Sequence, residues 1–269
     1  MFADVTSANV VGYQEIQAED GTQLMQGCQF MTVGGQPVDI QDIVFKSNGE
    51  VSKSNCDIWW WDPKKEGGMG YVEAKRSAFY YDFEKDQRVM TVCWVDKNSP
   101  QTTKPILMQK TFAPGEGFFC QPMQEKPTLS ISGEVWGSNN TSDEVRSIDF
   151  LEDGTQIMVC NPFPVELDIQ DIVFTSNGDV AKSGCDIWWW DPKKEGGAGY
   201  VEAKRSQFYY DFEKDQRVMT VCWVDKNSPQ TTKPILIQKK FKAGEGFFVQ
   251  PMQENPKLHF PNPFYKAAE

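Results

Sequence analysis

The chain has little of several features that direct a protein towards particular functions. It has a single histidine, His259, and none of its seven cysteines stands in CxxC spacing, so a zinc site built on these residues is not expected. Its 27 lysines and arginines face 38 aspartates and glutamates, and the net charge of -11 would repel phosphate backbones and anionic lipid headgroups. No apolar run approaches the roughly 20 residues of a membrane-spanning helix. Nucleic acid is therefore not an expected partner, and a membrane span is not expected.

What the chain does contain is a long internal repeat. Residues 39–122 align without gaps with residues 168–251, and 11 of these 84 positions differ. A repeat separated by 129 residues is a domain and not a solenoid unit. We predict a first β-domain over residues 1–133 and a linker over residues 134–144, where small and polar residues cluster. A second β-domain over residues 145–269 duplicates the first.

The residue pattern of each copy predicts an all-β fold. Short runs rich in valine, isoleucine and aromatic residues alternate with glycine, proline, asparagine and aspartate, and no long stretch has a helical period. In the first copy we expect strands at Val10–Gln17, Gln23–Phe30, Asp57–Trp61, Tyr71–Ala74, Phe79–Phe83, Arg88–Val95, Ile106–Phe112, Gly117–Gln121 and Leu129–Ser132. The segment VDIQDIVF from Val38 fits either a strand or one helical turn. Eight or so strands in about 130 residues predict a β-sandwich or a barrel-like closed sheet.

Each copy contains three consecutive tryptophans in the identical segment CDIWWWDPKKEGG. Because successive side chains of a strand point to opposite faces, Trp60 should share one face with Ile58, and Trp59 and Trp61 should share the other. Three roles are open: packing in the core, an aromatic platform that stacks on sugar rings, and a protein interface. We expect at least one tryptophan of each copy to be buried. The candidate interface or ligand-binding residues are Trp59, Trp60, Trp61, Tyr80, Tyr81, Trp188, Trp189, Trp190, Tyr209 and Tyr210.

The cysteines have two interpretations, which the sequence leaves open. Cys120 corresponds to Val249 in the second copy, and an exchange of cysteine for valine is typical of a small apolar core residue. The alternative is a disulfide framework, as in many exported proteins. Its candidate pairs are Cys56–Cys93, Cys185–Cys222 and Cys28–Cys120, which would leave Cys160 over.

Signals of catalysis are weak. Acidic residues recur in both copies, but they stand beside lysines, as in DPKKE and DFEKD, and such mixed charge is typical of a solvated surface. His259 lies outside the repeated segment, so no serine–histidine or cysteine–histidine pair can occur in both copies. The chain is therefore not expected to be an enzyme or to need a cofactor. Calcium could bind the oxygen-rich segments SNGEVSKSNCD and SNGDVAKSGCD, although neither has the spacing of an EF-hand loop.

Several short motifs of the first copy occur in a fixed order. They are ANVVGYQEI, DGTQLMQGCQF, VDIQDIVF, a hairpin rich in tryptophan and tyrosine, and PGEGFFCQP. This order resembles the β-domain repeats of exported bacterial surface proteins. The second copy lacks VVGY and has SDEVRSIDF in its place. The resemblance implies export and a surface, adhesive or structural role, and it implies no catalytic residues.

These observations together predict an extracellular or cell-surface protein whose tandem β-domains self-associate into a filament or surface layer. The alternative is a carbohydrate-binding or adhesin module with two equivalent aromatic surfaces for glycans. The first residues, Met1-Phe2-Ala3 before Asp4, fit the end of a cleaved signal peptide as well as an ordinary initiator methionine. We also expect one terminus to add a strand to a neighbouring domain or subunit, unless both termini complete their own domains.

Overall fold

The computed structural model describes residues 11–17, 21, 23–32, 35–62, 65, 70–99, 103–135, 146–148, 153–194, 197–228 and 232–263. Within these residues the chain is built from strands, and two single 3-10 turns are the only helical elements. The predicted all-β fold class is confirmed. The chain divides into two compact units, Met1–Asn139 and Asn140–Glu269. Most of the predicted linker lies outside the described residues, so its position stays a prediction.

The described part of unit 1 contains fourteen strands and one 3-10 turn, Ile40–Asp42. The strands are β1 (Val11–Gln17), β2 (Leu24–Gly27), β3 (Phe30–Met31), β4 (Val38–Asp39), β5 (Val44–Ser47), β6 (Glu50–Val51), β7 (Cys56–Asp62), β8 (Gly70–Ser77), β9 (Tyr80–Asp82), β10 (Gln87–Val89), β11 (Cys93–Asp96), β12 (Thr111–Phe112), β13 (Gly117–Pro122) and β14 (Pro127–Val135).

Two antiparallel sheets make up most of unit 1. The first has the strand order β1–β14–β5–β6, with β3 also paired to β14, and the second has the order β11–β8–β7–β13–β2. Both sheets contribute to one core, in which Phe45 and Leu129 of the first sheet join Ile58, Trp94 and Phe118 of the second. Two antiparallel sheets that share one core form a β-sandwich. This is one of the two architectures that the number of strands predicts.

Unit 2 repeats this arrangement in its described residues. Its strands are β15 (Arg146–Ile148), β16 (Ile157–Cys160), β17 (Leu167–Asp168), β18 (Val173–Ser176), β19 (Asp179–Val180), β20 (Cys185–Asp191), β21 (Gly199–Asp211), β22 (Gln216–Asp225), β23 (Lys240–Phe241), β24 (Gly246–Pro251) and β25 (Pro256–Phe260). The two main sheets have the orders β15–β25–β18–β19 and β16–β24–β20–β21–β22. These orders match those of unit 1, except that β3 has no counterpart among the described strands of unit 2. A 3-10 turn, Ile169–Asp171, takes the place of Ile40–Asp42.

The segment VDIQDIVF contains both of the structures that its sequence allowed. It enters as β4, makes the 3-10 turn and leaves as β5, and the side chain of Asp39 caps the turn by accepting a hydrogen bond from the backbone N–H of Gln41. The Gln41 side chain then accepts from the N–H of Trp94 at 2.9 Å and donates to its carbonyl at 3.0 Å. The turn thereby fixes β11, at the edge of the second sheet, to the segment that leads into the first sheet.

Some strands differ from the sequence-based expectation. The predicted strand Arg88–Val95 is divided into β10 and β11 in unit 1, whereas the same residues of unit 2 form the single strand β22. The β5–β6 hairpin was not predicted, although its Asn48-Gly49 turn is a recognisable signal. Both turn residues have positive φ values, 51° and 84°, and asparagine and glycine tolerate this conformation best.

The described terminal strands complete their own units. β1 pairs with β14 along its whole length, from Val11 opposite Glu134 to Gln17 opposite Thr128, and β15 pairs with β25. Residues 1–10 and 264–269 lie outside the described residues, so strand addition by either terminus stays a prediction. Among the residues that the structure describes, no helix is long and apolar enough to cross a membrane.

Candidate functional site

The middle tryptophan of each triplet lies in the core. Trp60 and Trp189 are each 5% exposed, and they pack edge-on against Phe112 at 5.6 Å and Phe241 at 5.8 Å between ring centroids. The expectation of one buried tryptophan in each copy is confirmed. The inclusion of Trp60 and Trp189 among the interface or ligand-binding residues is wrong, because the alternation of the strand turns these two side chains inward.

The two flanking tryptophans belong to an aromatic cluster on the outer face of the second sheet. Trp59 stacks on Phe119 of the neighbouring β13, with 5.5 Å between ring centroids and 20° between ring planes. Trp61 meets Tyr71 of β8 edge-to-face at 5.2 Å, since the register places these two residues opposite each other. We call these four residues the outer aromatic face of unit 1. The outer aromatic face of unit 2 consists of Trp188, Trp190, Tyr200 and Phe248.

The sequence interpretation missed Tyr71 and Phe119, which lie next to the triplet only through strand pairing. A hairpin between CDIWWWD and GYVEAKRS would have placed Tyr71 beside Trp61. No pattern within the sequence indicates that β13 lies on the other side of β7, so Phe119 could not have been assigned to this surface.

Charged side chains border each outer aromatic face, and they are paired. The ammonium of Lys97 lies 2.8 Å from a carboxylate oxygen of Asp57 and 3.0 Å from one of Glu73. The hydrogen bond that Lys97 donates to Asp57, followed by the one that it donates to Glu73, raises the pKa of Lys97. In unit 2, Lys226 holds the equivalent acids and lies 5.1 Å from the centroid of the Trp188 ring. A lysine paired with two carboxylates beside the tryptophan rings therefore forms a charged border to each outer aromatic face.

The predicted tyrosines belong to a hairpin that each unit presents to solvent. We call this hairpin the arm; it comprises residues 79–90 in unit 1 and 208–219 in unit 2. Tyr81 and Arg88 are cross-strand partners and therefore lie on the same face. On this face Arg88 lies 4.3 Å above the Phe79 ring, and Tyr81 contacts Phe83 edge-to-face at 5.0 Å. Tyr80 and Tyr209 point to the opposite face and are half-buried.

The most exposed apolar side chains of the arm were not among the predicted site residues. Met90 is 71% exposed and Phe83 is 53% exposed, and the equivalent Met219 and Phe212 of unit 2 are 69% and 52% exposed. Their signal in the sequence is weak, because phenylalanine and methionine in a β segment usually indicate core. Only the pairing of the arm strands shows that these residues face solvent.

Hydrogen bonds and an ion pair hold the tip of each arm. Tyr81 donates a hydrogen bond to the carboxylate of Asp86, and Lys104 lies 3.5 Å from the same carboxylate and 4.1 Å from the centre of the Tyr81 ring. The hydrogen bond from Tyr81, followed by the charge of Lys104, lowers the pKa of Asp86. Tyr210, Asp215 and Lys233 repeat this arrangement. These contacts hold the tip of each arm in one conformation.

All seven cysteines are buried and none forms a disulfide bond, so the three predicted disulfides are wrong. Cys56 and Cys93 lie on β7 and β11, with β8 between them. Two strand spacings amount to about 10 Å, beyond the roughly 7 Å that a disulfide can span between Cα atoms. Cys185 and Cys222 are separated by β21 in the same way. Cys120 lies opposite Leu24, the first residue of β2. Cys28 follows the end of β2, four residues from Leu24, so Cys28 and Cys120 are about 13 Å apart along the strand direction.

The remaining candidate chemistry does not form a repeated site. His259 contacts the hydroxyls of Ser147 at 2.7 Å and Thr175 at 2.6 Å, but Ser130 takes the place of His259 in unit 1. The segment SNGEVSKSNCD, considered for calcium, contains the tight turn between β5 and β6. In the part of the chain that the structure describes, no three histidine, cysteine, aspartate or glutamate side chains are grouped to hold a metal ion.

Comparison of the chain with family models, with curated proteins and with solved structures gives no match. The function is therefore argued from the two repeated surface features, the outer aromatic face and the arm.

Proposed function

We propose that the protein is an exported structural protein whose units self-associate into an extracellular filament or surface layer. The observation that carries this proposal is the arm, one face of which exposes a phenylalanine at the tip and a methionine at the base in both units, with a tyrosine and an arginine between them. Exposed apolar side chains that occur as a patch usually mark a surface that a partner covers. Scattered single apolar residues would not support this argument.

The residue types of the arm support a protein as the partner. Tyrosine, arginine, phenylalanine and methionine are enriched in the cores of protein interfaces, and the arm face combines all four. Arg88 of the arm and Lys104 beside it lie over aromatic rings, so both cations are already placed against apolar surface. Little side-chain entropy is then lost when a partner binds.

The presence of two arms on one chain supports an extended assembly. The arms have the same sequence from Phe79 to Met90 and from Phe208 to Met219. A chain with two equivalent contact surfaces can bind two neighbours, and contacts between unlike surfaces give open fibres when they do not close into a ring. The burial of all seven cysteines is compatible with export, because buried thiols react slowly in an oxidising compartment.

The test replaces both arm methionines by glutamate, in the double variant Met90→Glu and Met219→Glu. A charge buried in an apolar contact must be desolvated, so assemblies of the wild-type protein seen by light scattering and electron microscopy should be lost. The matched control is Met123→Glu with Met252→Glu, at repeated positions outside the arm that are 42% and 47% exposed. Monomers of wild-type protein at high concentration, or equal effects of the two double variants, would contradict the proposal.

Glycan binding is the second candidate, and the outer aromatic face favours it. Trp190 and Tyr200 are both exposed, and their rings meet at 5.3 Å beside the Lys226–Asp186–Glu202 network. Aromatic rings present flat apolar area with a polar group at one end, and the charged groups beside them could bind sugar hydroxyls.

A glycan array separates the two candidates. Binding of the wild-type protein that is lost in Trp61→Ala with Trp190→Ala, and kept in the double arm variant, would establish the outer aromatic face as a glycan site. Absence of binding across the array, with assembly intact, would leave self-association as the function of the protein.

A further inference from the structure

Cys56 and Cys120 are neighbours in the core of unit 1. In the β7–β13 pair Cys120 lies opposite Ile58 and Cys56 lies opposite Pro122, so the two cysteines are diagonal neighbours on the inward face of the sheet. Both side chains are buried, and they lie within hydrogen-bonding reach of each other. This is not one of the three pairs that the sequence suggested.

We propose that Cys56 and Cys120 form a disulfide bond when the chain folds in the presence of a small disulfide such as oxidised glutathione. The thiolate of one cysteine attacks oxidised glutathione, forms a mixed disulfide and releases one glutathione thiolate. The thiolate of the other cysteine then attacks the protein sulfur of the mixed disulfide and releases the second. The protein gives up two protons and two electrons, and one molecule of oxidised glutathione becomes two of reduced glutathione.

The geometry requires a small movement at the ends of two strands. Diagonal neighbours in an antiparallel pair have Cα atoms about 7–8 Å apart, and a disulfide spans up to about 6.8 Å. Cys56 is the first residue of β7, and Cys120 lies two residues before the end of β13. The strand ends can therefore approach by about 1 Å while the pairing of Trp59 with Phe119, further along the ladder, is kept.

The disulfide forms during folding and not in the native state. The hydrogen bond with Cys120 and the burial of the side chain both raise the pKa of the Cys56 thiol, so very little of Cys56 is in the reactive thiolate form in the folded unit. Once the core has closed, a small oxidant has no access to either sulfur. The redox state of this pair is then set as unit 1 folds and is retained afterwards.

Unit 2 lacks the second cysteine of the pair. Val249 takes the position of Cys120, and Cys185, the counterpart of Cys56, is buried beside it. The bond would therefore act on unit 1 alone, where it closes a long loop of chain and restricts the unfolded state. The two units of one molecule would differ in their resistance to unfolding according to the redox conditions during folding.

The test is refolding of the reduced full-length chain in a glutathione redox buffer, followed by alkylation in denaturant and peptide mapping. We expect a linked peptide that joins Cys56 to Cys120 and alkylation of every other cysteine. In Cys120→Val, which copies the residue of unit 2, Cys56 should be alkylated as well. Alkylation of both Cys56 and Cys120 in wild-type protein with native circular dichroism, or a bridge from Cys56 to another cysteine, would overturn the proposal.

The reciprocal variant tests the same geometry in unit 2. Val249→Cys should add a second linked peptide, Cys185 with the new cysteine, under the same refolding conditions. Thermal unfolding then provides an independent readout. Reduction should lower the melting temperature of unit 1 in oxidised wild-type protein, whereas it should not change the melting temperature of Cys120→Val. A Val249→Cys protein that folds without the second bridge would show that diagonal neighbours at this position cannot form a disulfide bond, and would overturn the proposal.

Discussion

Replacement of Gln26 by valine should stabilise unit 1. Gln26 lies opposite Phe118 in the β2–β13 pair, and Val159 holds the equivalent position opposite Phe247 in unit 2. The side-chain oxygen of Gln26 is buried and accepts no hydrogen bond in the described structure, whereas Val159 is buried among apolar neighbours. Unit 1 therefore has a buried polar side chain at a position where unit 2 has an apolar one.

The expected gain follows from three terms. A buried acceptor without a partner costs about 1–3 kcal/mol, and valine removes this cost. Valine also loses less side-chain entropy on burial than glutamine, by about 1 kcal/mol. The smaller volume of valine leaves some space unfilled and offsets part of the gain. We expect the free energy of unfolding of unit 1 to rise by about 1–2 kcal/mol, or roughly 3–8 °C in its melting temperature.

Hydrogen exchange followed by mass spectrometry resolves the two units in the intact chain. In Gln26→Val the amides of β13 should exchange more slowly, and those of β24 should be unchanged. The reciprocal variant Val159→Gln should accelerate exchange in β24 and leave β13 unchanged. Unchanged or faster exchange of β13 in Gln26→Val would refute the argument that the unpartnered oxygen destabilises unit 1.

The other predictions concern the core, the arm and the boundary. Trp60→Ala should cost about 3–5 kcal/mol in urea unfolding and Trp61→Ala less than about 1.5 kcal/mol, and equal costs would contradict the inward assignment of Trp60. Asp86 should titrate below its ordinary pKa of 3.8 in carboxyl NMR, and Tyr81→Phe should raise that pKa. Because the folded-state pKa is lowered, the contact stabilises the arm above the unfolded-state pKa and is lost as the pH falls through the folded value, so the protection of arm amides relative to their intrinsic exchange rates should fall once the pH is below 3.8. Limited proteolysis should cut first at about Gly137–Ser142, and a first cut inside either repeated segment would disprove that boundary.

The orientation of the tryptophans was predictable because it depends only on local geometry. Side chains alternate along Cys56–Asp62 whatever the strand pairs with, and Cys56, Ile58 and Trp60 are accordingly the buried residues of β7. The class of the fold was predictable for the same reason, since β-branched and aromatic runs divided by turn residues recur through both copies.

The cysteine pairs were not predictable, because they depend on the order of strands in a sheet. The sequence gives no sign that β8 lies between β7 and β11, or that β13 pairs with β7. The backbone N–H of Cys28 donates to the carbonyl of Glu116, and the N–H of Asn161 makes the equivalent bond to Glu245, so Asn161 and not Cys160 is the counterpart of Cys28. Asn161 donates from its side chain to the carbonyls of Phe241 and Lys242, and Cys28 stands in its place in unit 1.

The arm shows a further limit of sequence reasoning. Residues 87–96 and 216–225 have the same sequence, yet the first set forms two short strands and the second a single strand. The strand pairs of the two units differ just before this hairpin, where Ala78 corresponds to Gln207 and the register shifts between Ser206 and Phe208. The same residues can therefore pair as two short strands or as one long strand, and neighbouring residues determine which pairing forms.

The near-identity of the two units has a consequence for how the chain folds. Tandem domains of similar sequence are prone to misassembly, because a hairpin of one copy fits the sheet of the other. The terminal strands are where the copies differ most: the Tyr13 hydroxyl of β1 lies 3.0 Å from the Ser130 hydroxyl of β14, whereas Ser147 of β15 contacts the His259 ring of β25. Exchange of these strands between units would lose both the contact of the Tyr13 hydroxyl with Ser130 and the contact of Ser147 with His259. The residues that diverged after the duplication thereby favour correct pairing of each first strand with its own last strand while the nascent chain is still incomplete.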